Sequence, residues 1–251
     1  MLPPLLYVAT GIQMPFRSLV ILILALLAMP ANIPAEEGAS LKAVVATLEE
    51  GYRTLEDVRA NFTQKARIAS LNRDDRGAGE MYLKRPAGAP AMFRFNYTKP
   101  QKQQIICNGK TVWLYTPDAK QVMTTDISGI LEAGPGGTLN YLTGLGTVSR
   151  DFTISFVGSG RDKQGNYLLQ LVPRNKSRIL AKLVLTVSAR AVEGFIKEGK
   201  AVSAFPLTAS VVYDTAGNRT ALEFANVRVN SGIAGTLFTF KPPAGVEVIK
   251  Q

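Results

Sequence analysis

From Met81 to Pro117 most apolar residues recur at a period of two, and no stretch constrains the fold more tightly. Met81, Leu83 and Arg85 share one face of a first segment and Phe93, Phe95 and Tyr97 one face of a second. In a third, Trp113 and Tyr115 alternate with Val112 and Leu114. Side chains of a β-strand alternate between faces, so this is a run of strands with one aromatic, apolar side. That side faces a packed core, a lipid-lined cavity or a partner protein, and the choice decides function. Asn108-Gly109, set between Ile105-Ile106-Cys107 and the strand from Thr111 to Tyr115, predicts a two-residue type I′ hairpin.

The same period runs through most of the chain. Val58, Ala60, Phe62 and Gln64 predict a strand ending near Ile68, and Asn72 to Gly79 predicts an exposed turn. Strands are further expected at Gln121 to Thr124, Phe152 to Phe156, Tyr167 to Val172, Leu180 to Val187, Leu207 to Tyr213, Thr220 to Val229 and Thr236 to Phe240, with a closing strand around Val246 to Ile249. Before them, Leu41, Val44, Val45, Leu48, Tyr52 and Leu55 recur at helical spacing behind Ser40, a good N-cap, so one amphipathic helix should lie against the sheet. Residues 189–204 lack a clean period and are expected to form an extended loop or protruding hairpin. Between Asp126 and Gly146 the period is lost. Ile127, Ile130, Leu131, Leu139, Leu142 and Leu145 flank Gly134-Pro135-Gly136-Gly137, which reads as two short helices around a flexible break, either a lid or a crossover connection.

The expected fold is mainly β with a few helices, in one domain. About eleven strands form a single antiparallel sheet, which at that size must curl, split or close. A strongly curved sheet with helices on its concave side leaves an apolar interior.

Leu19 to Met29 is an uncharged apolar run behind Arg17, of secretory signal length and short for a membrane span. Residues 1–35 are therefore expected to be a signal peptide, cleaved after Ala35 or Ala31, with Met14 an alternative start; an uncleaved anchor is the other reading. The exported domain would be 36–251. Cys107, the single cysteine, lies far from that segment, so no lipid attachment and no internal disulfide is expected, and the mature protein should be soluble.

Catalytic chemistry is sparse. With no histidine, Ser-His-Asp and Cys-His catalysis and the commonest zinc and copper sites are excluded. The acidic pairs Glu49-Glu50, Glu56-Asp57 and Asp74-Asp75 fall on a helix face, a helix end and a turn, where carboxylates are usually just solvated. No P-loop or GxGxxG is present, so neither an enzyme nor a metal or cofactor is expected. The formal charge of +10 is spread thinly and brings no nucleic-acid-binding motif. In an exported protein it suits anionic headgroups or an acidic partner, or serves solubility.

GEMYLKRP (79–86), MFRFNYTKP (92–100), NGKTVWLYTP (108–117) with Gln121-Val122, FTFKPPAGVEVI (238–249) and NFTQ (61–64) together resemble the periplasmic outer-membrane lipoprotein carrier family, LolA, in order over nearly the whole exported chain. The resemblance implies an incomplete β-barrel with a helical lid over a hydrophobic cavity, which ferries acylated lipoproteins from inner to outer membrane. It further implies a monomer served by an inner-membrane lipoprotein-releasing transporter and an outer-membrane receptor, with no cofactor. Arg85 matches the arginine that bonds to the lid and holds the empty cavity closed; the competing reading points it to solvent. Phe93 matches the family's phenylalanine after KRP, although Ala87 to Pro90 lengthens that connection. Met81, Leu83, Phe93, Phe95, Tyr97, Trp113, Tyr115 and Phe62, with Ile127, Ile130, Leu131, Leu139 and Leu142 from the lid, are the expected acyl contacts. Other functions of such a shape are lipoprotein sensing in envelope stress signalling and carriage of glycolipids or other envelope lipids.

Overall fold

The computed structural model describes residues 38–126 and 141–250. The expected signal segment and the expected lid contacts Ile127, Ile130, Leu131 and Leu139 lie outside the described residues.

Helix α1, Leu41–Arg53, begins where Ser40 Oγ accepts a hydrogen bond from the Ala43 amide at 3.2 Å. It buries Val44, Leu48 and Tyr52, the stripe that its spacing predicts. Twelve strands follow among the described residues: β1 Asp57–Ile68, β2 Arg73–Lys84, β3 Met92–Lys99, β4 Gln103–Cys107, β5 Thr111–Thr116, β6 Gln121–Asp126, β7 Phe152–Arg161, β8 Tyr167–Pro173, β9 Leu180–Val187, β10 Leu207–Asp214, β11 Arg219–Val229 and β12 Glu247–Lys250. Their order in one sheet is β12-β6-β5-β4-β3-β2-β1-β11-β10-β9-β8-β7. The two terminal strands of that order do not pair with each other, so the barrel is incomplete. α1, the short helix α2, Val148–Asp151, and the buried Leu142 and Leu145 share one apolar cluster with the inner face of the sheet.

Several details depart from expectation. The sheet is antiparallel except at one edge, where β12 pairs with β6 in parallel, Val248 opposite Val122. β1 and β2 form a long hairpin, Asp57 opposite Lys84 through Ile68 opposite Arg73, so most of the stretch expected as an exposed turn is strand. Its far end carries charged residues on both faces, including the Arg67–Asp74 pair at 3.1 Å, and a strand wet on both sides has no apolar alternation to betray it. The Asn108-Gly109 hairpin forms, but Asn108 pairs with Thr111, leaving Gly109 at the first central position with φ +90°. That is the type II′ pattern, in which only the first central residue needs positive φ.

Residues expected to form a loop or hairpin instead make helix α3, Ala189–Glu198, capped by Ser188 and closed by Gly199 at φ +68°. The mid-helix glycine that obscured it has a packing reason: a Cβ on Gly194 would lie 2.5 Å from a Val202 methyl. The expected strand at Thr236 to Phe240 is a 3₁₀ turn over Gly235–Phe238, part of a strap that crosses the outer face of the sheet from β11 to β12. Lys84 Nζ donates to the Ile233 carbonyl at 2.7 Å and Arg94 Nη1 to the Leu237 carbonyl at 3.0 Å, while Phe238 is fully buried.

Candidate functional site

Antiparallel register brings together side chains far apart in sequence. Ala60 of β1 lies opposite Met81 of β2, which lies opposite Phe95 of β3, and Phe95 opposite Ile105 of β4. Val58, Leu83, Phe93 and Cys107 form the next row toward the end of α1. Phe62 meets Phe95 and Tyr97 edge to face, with centroids 5.3 and 4.9 Å apart, and Phe93 meets Phe95 at 6.2 Å. Such edge-on contacts are the favoured geometry of aromatic pairs. Phe62, Met81, Leu83, Phe93, Phe95, Tyr97 and Leu142 thus all belong to one inner surface beneath α1.

Trp113 and Tyr115 do not belong to it. Val112 and Leu114 take the inner positions of β5, so strand alternation turns Trp113 and Tyr115 to the outer face, where both pack on Phe240 of the strap at 6.2 and 5.4 Å. Their assignment to the interior is corrected on that ground.

Arg85 follows directly on β2, its amide donating to the Glu56 carbonyl at 2.7 Å. Its guanidinium turns inward and donates to the main-chain carbonyl of Tyr52, in the last turn of α1. A helix end leaves such carbonyls without helical partners, and a cation there also complements the helix dipole. Beside Arg85 opens a cavity of about 760 Å³, bordered by Arg53, Leu55, Glu56, Thr143 and the Ala87 to Ala89 loop.

Tyr52 is the second notable residue. Its hydroxyl is fully buried and, among the described residues, has no hydrogen-bond partner. Burial pushes its pKa well above the ordinary tyrosine value, only partly offset by the charge of Arg85. The helical stripe contains Tyr52, but its spacing says nothing of an unpaired hydroxyl.

Asp57, which sequence reasoning places among solvated charges, is 1% exposed. It accepts from the amides of Ser231, Gly232 and Ile233 at 2.8 to 3.0 Å, and from the Ser231 hydroxyl at 3.1 Å. Burial alone would raise its pKa; these donors outweigh that and hold it below the ordinary carboxylate range. Asn230 completes the joint. Its Oδ1 accepts from the Glu56 amide and its Nδ2 donates to the Thr54 carbonyl, both at 2.9 Å. No local pattern announces a joint whose partners are more than 170 residues apart.

Cys107 is buried, with its thiol pKa raised chiefly by burial. Among the described residues no three His, Cys, Asp or Glu side chains cluster as a metal site, and no helix is long and apolar enough to cross a membrane.

Comparison with known proteins follows the same lines. The family model of the outer membrane lipoprotein carrier protein LolA matches residues 53–241. An outer-membrane lipoprotein carrier protein of Albidiferax ferrireducens is 32% identical over 209 residues, 82% of this chain and 90% of that protein. One from Methylobacillus flagellatus is 29% identical over 238 residues, 95% of this chain and all of its own length. Among solved structures, a LolA superfamily protein from Nitrosomonas europaea superposes with a TM-score of 0.43 at 13% identity, over 81% of this chain and 99% of that one.

Proposed function

The chain belongs to the outer membrane lipoprotein carrier protein (LolA) family, and on that premise we propose that it is a periplasmic chaperone, exported by residues 1–35, that carries the acyl chains of lipoproteins from inner to outer membrane. The observation that carries this reading is the bond of Arg85 to the Tyr52 carbonyl, which fastens the last turn of an amphipathic helix over an aromatic sheet face. The inner face is filled by its own side chains, so cargo enters as α1 lifts. Phe62, Met81, Leu83, Phe93, Phe95, Tyr97 and Leu142 then meet the acyl chains, with Ile127, Ile130, Leu131 and Leu139 completing the lining. Each methylene buried contributes roughly 0.8 kcal/mol, so one long chain supplies on the order of 10 kcal/mol without any catalytic group. The carrier is expected to act as a monomer between an inner-membrane lipoprotein-releasing transporter and an outer-membrane receptor that binds the cargo more tightly.

The test is direct. The purified exported domain should bind an apolar fluorescent probe and release it to a synthetic acylated peptide. Failure to bind either ligand removes the carrier reading. Lipid found by mass spectrometry on protein drawn from the native envelope then identifies the cargo, lipoprotein or another envelope lipid.

A further inference from the structure

The Tyr52 hydroxyl is fully buried with no hydrogen-bond partner among the described residues. Native interiors rarely leave such a group unpaired, because its hydration is lost and nothing replaces it. The ring itself is well placed, 5.7 Å from Phe205 and on the stripe by which α1 meets the sheet, so packing explains an aromatic ring here but not its oxygen. Phenylalanine would fill the same space without the penalty.

Two features of Tyr52 coincide. Its main-chain carbonyl is the acceptor that Arg85 holds, and its side chain carries the unpaired donor beneath the same helix. The residue that fastens α1 therefore also carries a group that improves its bonding only when something new enters. Acyl chains arrive with an acceptor attached, since each is joined to its carrier molecule through an ester or amide carbonyl. A carbonyl oxygen accepts and never donates, which is the complement of a phenol with a proton to give.

We propose that the Tyr52 hydroxyl is the donor that recognises the carbonyl at the head of a bound acyl chain. The proposal rests on the carrier reading above and adds to it a specificity-determining residue: the interior selects acyl esters and amides over hydrocarbon of equal length. In the empty protein the hydroxyl is unsatisfied; in the loaded one it donates to the cargo. Loading is thereby coupled to the residue at which the helix is clamped.

The experiment measures the wild-type domain and Tyr52→Phe against three ligands: a diacyl lipopeptide with ester links, its dialkyl ether analogue, and diphenylhexatriene, a hydrocarbon probe with no carbonyl. Wild type should prefer ester to ether by roughly tenfold, the equivalent of about 1.4 kcal/mol. Tyr52→Phe should lose that preference, bind the ether analogue and diphenylhexatriene with affinities lowered together by the one factor that its more stable closed form imposes, and melt at a higher temperature when empty, because an unpaired buried hydroxyl has gone. Gain of stability with loss of the ester-over-ether preference is a combination that a merely structural tyrosine does not produce. A short-chain diacyl phospholipid measured beside the lipopeptide tells membrane lipid from lipoprotein as the source of the ester; preference for either supports the donor role. The proposal is overturned if wild type binds ester and ether alike, or if Tyr52→Phe is less stable than wild type when empty. Failure of wild type to bind any ligand overturns the carrier reading, and the proposal with it.

Discussion

Replacing Arg85 with leucine tests whether one hydrogen bond sets the balance between closed and open forms. A hydrogen bond from a charged donor contributes about 1.5–3 kcal/mol. The Tyr52 carbonyl also accepts from the Leu55 amide at 3.3 Å, so removing the guanidinium leaves no orphaned acceptor and the loss falls at the low end, about 1.5 kcal/mol. Opposing it, the buried Tyr52 hydroxyl costs the closed form about 1–3 kcal/mol. The bond's own contribution sets the change whatever the balance of the other terms, so on the carrier reading Arg85→Leu should raise the open fraction roughly tenfold. Cys107 is a built-in reporter, since it is the only cysteine, is fully buried and lies in the row next to Leu83 and Phe93. Its labelling by a thiol reagent at fixed pH should speed up roughly tenfold in the variant, with little dependence on urea below 1 M, because local opening exposes little surface. An unchanged rate would sink the latch. So would a rate that climbs with urea as steeply as global unfolding, which would place the opening in the whole domain rather than at α1.

Three further changes probe the surroundings. Asp57→Asn keeps the shape but puts an amide nitrogen, which donates and cannot accept, where a carboxylate oxygen takes two of its four hydrogen bonds, so urea midpoints at neutral pH should reveal a loss of at least about 2 kcal/mol. Because the folded carboxyl titrates below its unfolded value, ~3.9, that contribution is complete above the unfolded value and disappears as pH falls through the folded one, so the stabilities of wild type and variant converge in acid. Gly79→Ala would drive a Cβ into the Asn96 main-chain carbonyl across the β2–β3 pair, and should cost about 2–3 kcal/mol by thermal melting. Phe240→Ala uncovers Trp113, the only tryptophan, so its emission should shift to the red while saturation with an apolar ligand leaves it unmoved. A ligand-induced shift without an effect of Phe240→Ala would return Trp113 to the interior.

Legibility followed locality. The α1 stripe and the inner rows of β1 to β3, with Arg85 on the face of Met81 and Leu83, can be read from spacing, because each depends on neighbours within one or two elements; a lid bond for Arg85 comes only from the family resemblance, and its acceptor, the Tyr52 carbonyl of α1, from the structure. In β5 the pattern is ambiguous: Val112, Trp113, Leu114 and Tyr115 are all apolar, since the strap covers the outer side while Val112 and Leu114 join the inner cluster. Alternation says that two faces exist but not which is inside. Asp57 and Asn230 were unreadable for another reason, as a buried carboxylate looks like a solvated one until the loop that satisfies it is in place. The orphaned Tyr52 hydroxyl is defined by what is missing around it, and no residue pattern encodes that.

The two coverings of the sheet are fastened differently, and this bears on which one moves. The outer strap is held along its length by Asp57, Lys84, Arg94 and the stack of Phe240 on Trp113 and Tyr115. The inner helix has fewer ties: Tyr167 Oη accepts from the Ala39 amide at 2.9 Å before α1 begins, Glu49 accepts from the Ser149 amide and hydroxyl on α2, and Arg85 binds Tyr52 in its last turn. Just beyond, Thr54 and Glu56 are bound to Asn230 and Asp57 to the following turn, so the chain is immobilised immediately after the helix. If α1 lifts, it pivots there, with Arg85 within one turn of the pivot. A bond in that place resists rotation at its root, and its loss leaves the Glu49 and Ala39 bonds to hold the helix toward Leu41. The carrier reading therefore predicts that hydrogen exchange in Arg85→Leu accelerates across α1 while the strap and the outer wall keep their protection; uniform acceleration through both coverings would leave the latch without a mechanism.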